Sequence, residues 1–303
     1  MRLDVTSTAL ELFPGFTEHR VRTSGAEIHC LTGGSGPPLL LLHGYPQTHA
    51  MWHRVAPALA REFTVVCADL RGYGDSSKPV SDAQHAAYSK RAMAQDMVEV
   101  MRELRFPRFR VAGHDRGGRV AHRLCLDHAD AVERVAVLDI SPTRTMYAAT
   151  DRAFATAYHH WFFLIQPFDL PEKLIGANPA YYLRRKLGGL GAGLERVDPR
   201  ALAEYERCFR NPETIHATCE DYRAAASIDL EHDDADVAAG RKLACPLLAL
   251  WGERGVVHRL FDPLRDWMSV AADVRGAALP AGHFLAEEVP ERVLAELLAF
   301  FRE

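Results

Sequence analysis

The sequence predicts an α/β protein with a mostly parallel central sheet into which a helical cap is inserted. Short apolar runs that suit buried strands alternate with helix-like segments up to about residue 140 and again from residue 246. Between residues 141 and 240, aromatic residues, prolines and helical patterns replace those runs. We therefore expect a core domain of residues 1–140 and 241–303 and a helical cap of residues 141–240. A chain of 303 residues with 48% hydrophobic content is ample for both.

The strands are predicted from β-prone runs bounded by turn residues. Residues 19–32 alternate around Ser24 and Gly25 as a hairpin does. Helix-like residues 119–126 follow one of the later runs, and strands that alternate with helices imply a parallel sheet. The later runs cover residues 38–42, 63–68, 109–112, 132–140 and 246–252.

The most informative motif lies between one predicted strand and the helix that follows it. Residues 113–117 read Gly-His-Asp-Arg-Gly, which matches the nucleophile elbow of an α/β-hydrolase except that Asp115 takes the place of serine. The glycines of this segment let the strand and helix approach closely. We predict that Asp115 is a nucleophile; a helix-capping aspartate in a Gly-rich turn is the alternative.

A carboxylate nucleophile restricts the chemistry. A serine that displaced a leaving group from sp³ carbon would form an ether, which water does not readily cleave. An aspartate forms an ester, and water can hydrolyse that ester at the Asp115 carbonyl carbon. Asp115 therefore suits alkyl halides or epoxides.

The predicted base is His283, in the Pro-Ala-Gly-His-Phe segment of residues 280–284, between a final strand and the C-terminal helix. The acid that orients it is predicted to be Asp139, at the end of the strand that follows the elbow helix. Glu253, in the loop after residues 246–252, is the alternative acid.

Ester hydrolysis also needs donors for a developing oxyanion. The backbone N–H of Arg116 is one candidate. Tyr45, in the His-Gly-Tyr-Pro segment of residues 43–46, is the other. A simple tight turn is the alternative interpretation of that segment.

Four segments together resemble the fluoroacetate dehalogenases, and the likeness spans nearly the whole chain. They are residues 113–119, 138–143, 160–162 and 219–223. Haloalkane dehalogenases and epoxide hydrolases typically have Trp after the nucleophilic Asp, whereas this chain has Arg116.

The resemblance implies hydrolytic dehalogenation of a short 2-haloacid, without a metal or organic cofactor. Arg116 and Arg119 would grip the substrate carboxylate through charge-assisted hydrogen bonds. In that family, hydrogen bonds to the departing halide come from the cap, here from His160, Trp161 and Tyr222. The resemblance also suggests a homodimer.

The chain departs from the family at Ala157, where some members carry Lys, and His159 beside His160 leaves the halide ligand ambiguous by one position.

An epoxide hydrolase with the same Asp is the alternative function. It would need acidic hydroxyls in the cap, for which the candidates are Tyr181, Tyr182 and Tyr222. A non-catalytic ligand-binding protein on this fold is the second alternative, although such proteins typically lose a catalytic residue.

Composition favours a small-molecule partner. The net charge of −4 and the lack of a long basic run argue against nucleic acid or an anionic membrane as partner.

The six cysteines show no C-x-x-C spacing, so neither a zinc site nor a disulfide framework is expected. No basic-then-apolar signal and no apolar stretch of roughly 18–20 residues is found, which predicts a cytoplasmic protein. The Gly-rich residues 188–193 lack the Lys-Ser/Thr of a phosphate-binding loop and are predicted to form a mobile cap loop.

Overall fold

The structure is a computed structural model of the protein and describes residues 10–303. Its strands form one eight-stranded sheet. They are β1 Thr17–Arg22, β2 Glu27–Gly33, β3 Pro38–Leu42, β4 Thr64–Ala68, β5 Phe109–His114, β6 Val132–Leu138, β7 Leu247–Gly252 and β8 Val274–Leu279.

The sheet order is β1-β2-β4-β3-β5-β6-β7-β8. The pairs β1–β2 and β2–β4 are antiparallel, and every later pair is parallel. The predicted mostly parallel sheet and its N-terminal hairpin are thus confirmed. In the middle of the sheet, Leu41 lies between Cys67 and Ala112, and all three are fully buried. Burial on both faces explains why these strands are continuously apolar rather than alternating.

Helices pack on this sheet and also form the long connection between β6 and β7. Five short 3₁₀ segments lie at Leu10–Leu12, His49–Trp52, Ala86–Tyr88, Ala129–Ala131 and Leu194–Arg196. The α-helices are α1 Ala56–Leu59, α2 Lys90–Glu103, α3 Arg116–Asp127, α4 Thr143–Ala148, α5 Arg152–Ala157, α6 His159–Leu164, α7 Leu170–Gly176, α8 Pro179–Leu190, α9 Pro199–Phe209, α10 Pro212–Ala225, α11 Ile228–Ala238, α12 Val256–Leu260, α13 Pro263–Val270, α14 Leu285–Glu288 and α15 Pro290–Phe301. None of the helices in the described part of the chain is both long and apolar enough to cross a membrane.

The helical insertion, α4 to α11, contains no named strand. Local capping chemistry explains several of its helix starts. Asn178, Asp198 and Asn211 each accept a hydrogen bond from a backbone N–H of the first turn of α8, α9 and α10. A proline follows each cap, where its fixed φ suits the helix and its missing N–H costs nothing.

The elbow helix begins earlier than the sequence pattern predicts. We expect helix from residue 119, but α3 starts at Arg116 and includes Gly117 and Gly118. Glycine lowers helix propensity, yet close packing requires it here. A Cβ on Gly117 would lie 2.4 Å from the carbonyl oxygen of His43, and one on Gly118 would lie 2.9 Å from that of Gly113.

The parallel arrangement brings five chain segments to one edge of the sheet. Tyr45 follows β3, Asp115 follows β5 and Asp139 follows β6. Gly252 ends β7, and His283 follows β8. Because the carboxyl ends of parallel strands share an edge, these positions converge. The helical insertion begins at this edge, after β6.

Candidate active site

Asp115 lies at the sharp turn between β5 and α3, with φ of 46° and ψ of −112°. Positive φ is uncommon for a residue with a side chain, and it persists only where the surrounding packing enforces it. That packing is tight, since a Cβ on Gly44 would lie 2.5 Å from the Asp115 Cβ. The backbone N–H of Asp115 donates to the carbonyl oxygen of Leu138 at 3.2 Å. The turn therefore presents the carboxylate in a fixed direction.

The two oxygens of the Asp115 carboxylate have different surroundings. Oδ1 accepts a hydrogen bond from the backbone N–H of Tyr45 at 3.0 Å, whereas Oδ2 lies 4.0 Å from His283 Nε2. Burial raises the pKa of Asp115, but His283, His114 and the nearby arginines outweigh burial and lower it below the ordinary value. The side chain is thus an ionised carboxylate. The contact that Tyr45 makes with Asp115 comes from its backbone N–H.

His283 is held between two aspartates. Its Nδ1 lies 2.6 Å from Asp139 Oδ2, and the other Asp139 oxygen accepts a hydrogen bond from the backbone N–H of Gly252 at 2.9 Å. Burial lowers the pKa of His283, but the hydrogen bond and charge of Asp139, together with Asp115, raise it above the ordinary value. Nδ1–H therefore points to Asp139, and Nε2 faces Asp115. Glu253 is exposed on the loop after β7, so the structure brings Asp139 rather than Glu253 to the histidine.

His114 positions the loop that carries His283. Its Nε2 lies 2.8 Å from the carbonyl oxygen of His283. Burial and the neighbouring His283 lower the pKa of His114 to about 3, so the ring is neutral and Nε2 carries the donated proton. On the other side, the backbone N–H of His283 donates to the carbonyl oxygen of Leu190 at 3.2 Å. Sequence reasoning missed His114, which is next to Asp115 in the chain but has no signature of its own.

Arg116 is fully buried and pairs with Asp221 of α10. Its Nε donates to Asp221 Oδ2 at 2.9 Å, and its Nη2 donates to Oδ1 at 2.5 Å and to the backbone oxygen at 2.8 Å. Within residues 10–303, Nη1 has no hydrogen-bond partner. Asp221 therefore occupies most of the guanidinium, and the predicted contact of Arg116 with a substrate carboxylate stays a prediction. The buried Nη1, which carries two N–H donors, is the atom that could make that contact.

Asp221 is the centre of a buried network that sequence reasoning did not find. Besides Arg116, it binds Lys90 Nζ of α2 and accepts a hydrogen bond from the Tyr73 hydroxyl at 2.6 Å. Burial raises the pKa of Asp221, but Arg116 and Lys90 hold it well below its usual range. The network joins the helical insertion to the sheet side of the molecule and fixes the orientation of Arg116.

Arg119 lies one helical turn beyond Arg116 and is also buried. Its Nη1 donates to Ser141 O at 3.2 Å and to Thr143 Oγ1 at 2.9 Å. Its Nη2 lies 3.2 Å from Met146 Sδ. Its Nε finds no acceptor in the described part of the chain. In contrast to Arg116, no carboxylate lies within ion-pair distance of it there, so it contributes a net positive charge.

Aromatic side chains of the insertion cover both arginines. The Arg116 Cζ lies 4.2 Å from the Tyr222 ring centroid, and the Arg119 Cζ lies 4.7 Å from the Trp161 ring centroid. Contacts of this kind favour the cation and keep each planar guanidinium flat against its partner. Tyr222 and Trp161 are themselves buried. Two cations thus lie beneath an aromatic cover, close to Asp115.

His160 is buried and His159 is exposed, which favours His160 as the predicted halide ligand. The His160 ring stacks on Tyr45 at 6.1 Å and lies 5.7 Å from the Tyr222 ring. Burial, followed by the charge of Lys186, lowers the pKa of His160 well below its ordinary value, so the ring is neutral. Its Nδ1 and the Tyr222 hydroxyl have no partners among residues 10–303.

Other aromatic residues line the same region. Tyr158, which sequence reasoning missed, packs edge-on to His160 at 5.3 Å and to His283 at 6.5 Å. Among the cap tyrosines proposed as acids, Tyr181 is 64% exposed, which removes it from the site. Tyr182 is nearly covered and stacks on Phe209.

The described residues bring together one group with the composition of a metal site: His29, His49 and Asp69, all buried. The Nδ1 atoms of both histidines lie 2.9 Å from Asp69, one on each carboxylate oxygen. Both Nδ1 atoms therefore bond within the group, whereas His29 Nε2 lies 3.1 Å from Glu18 Oε1 and His49 Nε2 has no hydrogen-bond partner among residues 10–303. The six cysteines are free thiols.

The chain belongs to the α/β-hydrolase family, because the family model for the alpha/beta hydrolase fold matches residues 37–278. Within that family it is similar to the fluoroacetate dehalogenase of Burkholderia sp., with 51% identity over 95% of each chain. The resemblance predicted from the sequence is thus confirmed. The chain is also similar to the soluble epoxide hydrolase of Corynebacterium sp. (strain C12), with 37% identity over 94% of this chain and 97% of that one.

A solved structure from Nostoc sp. PCC 7120, described as an α/β-hydrolase candidate, is 58% identical to this chain. It superposes with a TM-score of 0.93 and covers 94% of this chain and 98% of its own. Similarity of that extent covers both the sheet and the helical insertion.

Proposed function

We propose that the protein hydrolyses the carbon–halogen bond of a short 2-haloacid, such as fluoroacetate or chloroacetate, to give a 2-hydroxy acid and halide. The observation that carries this proposal is a pair of buried arginines beside Asp115, each with one guanidinium nitrogen that has no hydrogen-bond partner among the described residues. A carboxylate between Arg116 Nη1 and Arg119 Nε would complete both donors and hold the α-carbon near Asp115. The identity of 51% to a fluoroacetate dehalogenase supports the same conclusion.

In the first step, Asp115 Oδ2 attacks the α-carbon and the halide leaves. Oδ2 is the oxygen available for attack, since the Tyr45 N–H holds Oδ1. A new C–O bond forms, the C–halogen bond breaks, and its electron pair departs with the halide. We assign the halide to His160, Trp161 and Tyr222, whose N–H and O–H groups can donate where the negative charge develops. Fluoride makes this demand severe because it is a poor and strongly hydrated leaving group.

In the second step, water hydrolyses the ester. His283 Nε2 removes a proton from a water molecule that attacks the Asp115 carbonyl carbon. Asp139, bound to Nδ1, stabilises the imidazolium that forms. The oxyanion develops on Oδ1, which already accepts the Tyr45 N–H, and the backbone N–H of Arg116 is the proposed second donor. When this intermediate collapses, the bond between the Asp115 carbonyl carbon and the substrate oxygen breaks, and the proton held by His283 passes to that oxygen as the hydroxy acid leaves. Side chains, backbone donors and water perform every step, so we propose no metal or organic cofactor.

A single turnover in H₂¹⁸O tests this route. With enzyme in excess over chloroacetate, we expect unlabelled glycolate, because its new oxygen comes from Asp115. The peptide that contains Asp115 should gain one ¹⁸O. Label in the first glycolate and none in the peptide would instead indicate direct attack of water on the substrate.

Epoxide hydrolysis is the second candidate, and it is favoured by the buried and unpartnered hydroxyls of Tyr182 and Tyr222. The 37% identity to a soluble epoxide hydrolase supports it too. The arginine pair argues for the haloacid, because an epoxide carries no negative charge for buried cations to bind. Styrene oxide and chloroacetate assayed side by side separate the two functions. A purely ligand-binding role is disfavoured by the presence of Asp115, His283 and Asp139 together.

Organisation and location complete the proposal. We assign residues 1–140 and 241–303 to a core domain and residues 141–240 to a cap.

We further propose a homodimer formed through the apolar face around α7, where Phe168, Leu170 and Leu174 are exposed. Light scattering of Leu174→Glu against the unaltered protein tests that contact. Free thiols are typical of a reducing compartment, which supports the cytoplasm.

A further inference from the structure

A second cavity, of about 360 Å³, opens at the surface of the helical insertion. Its walls come from Ala157 at the end of α5, His159 at the start of α6 and residues of α8 from Tyr181 to Leu190. Neither the nucleophile nor the arginine pair contributes to it. We call it the outer cavity.

The outer cavity lies directly beside the active site. Leu190, in its wall, accepts the backbone hydrogen bond of His283 at 3.2 Å. His159, also in its wall, has its ring 6.1 Å from that of His160. One layer of side chains therefore separates the outer cavity from the buried site, where Asp115 is 6% exposed.

The lining of the outer cavity is cationic. Arg185 and Lys186 contribute positive charge to it, and no carboxylate lines it. Lys186 is only 5% exposed, and its ammonium group makes no hydrogen bond or ion pair with any residue that the structure describes. A largely covered lysine without a counter-ion is costly to keep charged, and the cavity beside Lys186 leaves room for an anion that would supply the counter-ion. Burial lowers the pKa of Lys186 to about 7, and its charge also lowers the pKa of His160.

We propose that the outer cavity is an anion-binding site, in which Lys186 binds the carboxylate of a small monocarboxylic acid on its way to Arg116 and Arg119. This proposal rests on the proposed function. A gradient of charge supports the direction of transfer. Asp221 pairs with Arg116, but within residues 10–303 no carboxylate lies at ion-pair distance from Arg119, so the charge of Arg119 attracts an anion inward from Lys186.

The geometry gives two independent ways to disturb the outer cavity. Lys186→Met removes its buried charge and keeps an apolar stem of similar length. Gly189→Phe fills space, since no atom lies within 4 Å of a Cβ built on Gly189 and its φ is not positive. Two exposed positions elsewhere provide matched controls. They are Lys242→Met and Gly176→Phe, the second also having open space around its Cβ.

The test measures chloroacetate binding to the Asp115→Asn protein, which does not turn over, by stopped-flow fluorescence. Trp161 reports arrival because it covers Arg119. We expect Lys186→Met to slow association about tenfold at low salt and to abolish most of its salt dependence. The dissociation constant should change much less, since the final site is intact. Lys186→Arg should restore the association rate. Gly189→Phe should slow association and dissociation together. Both control variants should behave like the parent.

Each contrary result has a distinct meaning. If chloroacetate binds the parent and Lys186→Met leaves its association rate unchanged, the outer-cavity proposal is overturned. The proposed function then still stands. Chloroacetate that fails to bind even the parent overturns both. A melting temperature for Lys186→Met equal to or above that of the parent shows that slow association is not a folding defect, because an unpaired buried charge has been removed.

Discussion

Replacing Arg119 with Met separates carboxylate binding from the rest of the chemistry. Met keeps an unbranched, apolar side chain that can still pack against Trp161. It removes the positive charge and the unpartnered Nε donor. In the proposed complex that donor meets the substrate carboxylate in a buried site. A haloacid should therefore lose one charge-assisted hydrogen bond.

The size of the loss follows from the burial of the site. A hydrogen bond to a charged group contributes about 1.5–3 kcal/mol. Since about 1.4 kcal/mol corresponds to a factor of ten, we expect kcat/KM for chloroacetate to fall by about 10- to 150-fold. The same change removes the hydrogen bonds from Arg119 to Ser141 O and Thr143 Oγ1. Those losses lower stability by about 1–3 kcal/mol and are read separately by thermal melting.

The assay compares chloroacetate with chloroacetamide, a neutral analogue that carries the same leaving group. Halide release is measured for the unaltered protein and for Arg119→Met. We expect the ratio of the two kcat/KM values to fall at least about tenfold, because only the acid makes the charged contact. An equal loss on both substrates would refute the reasoning and assign Arg119 a purely structural role.

Three further predictions follow from the network, the titration and the packing. Asp221→Asn should lower the free energy of unfolding, measured by urea denaturation, by about 3–5 kcal/mol, because an amide cannot neutralise Arg116 and Lys90. A change below about 1 kcal/mol would contradict the buried network. As pH falls through the raised pKa of His283, the base becomes protonated and steady-state turnover should drop about tenfold per pH unit. The burst of halide released in the first turnover should persist at those pH values, because the pKa of Asp115 is lowered and the nucleophile stays ionised. If quenched-flow measurements show that the burst and the steady-state turnover are lost together, the roles of Asp115 as nucleophile and His283 as base are contradicted. Gly117→Ala should lower the free energy of unfolding by about 1–3 kcal/mol in a thermal melt, because the new Cβ would lie 2.4 Å from the backbone oxygen of His43. Unchanged stability would contradict the close packing of the turn between β5 and α3.

Much of the fold is predictable from the sequence because its signals are local. The β-prone run at residues 38–42 coincides with β3, and the turn around Ser24 and Gly25 joins β1 to β2. The elbow is predictable for the same reason, since its glycines and Asp115 are neighbours in the chain. The orientation of α6 also has a local signal. Trp161 and Leu164 mark its buried face, and that spacing includes His160 rather than His159.

The missing parts of the site depend on contacts between distant segments. Asp221 pairs with Arg116 across 105 positions of the chain, and no local pattern predicts which acid meets which arginine. Lys186 has the same limitation, because only the folded structure shows that this side chain is 5% exposed and has no ion-pair partner among the described residues. Sequence reasoning thus identifies the residue types that the chemistry needs. The three-dimensional packing decides which of their donors remain free.

The central claim is that Asp115 becomes an ester of the substrate, and His283→Asn tests it most directly. Without the base, attack of Asp115 on the α-carbon can proceed, but hydrolysis of the ester cannot. After exposure to chloroacetate, intact-protein and peptide mass spectrometry should find one glycolyl-type adduct per chain, on the peptide that contains Asp115. Chloride release without any adduct, or an adduct on a different residue, would contradict the assignment of Asp115 as the nucleophile.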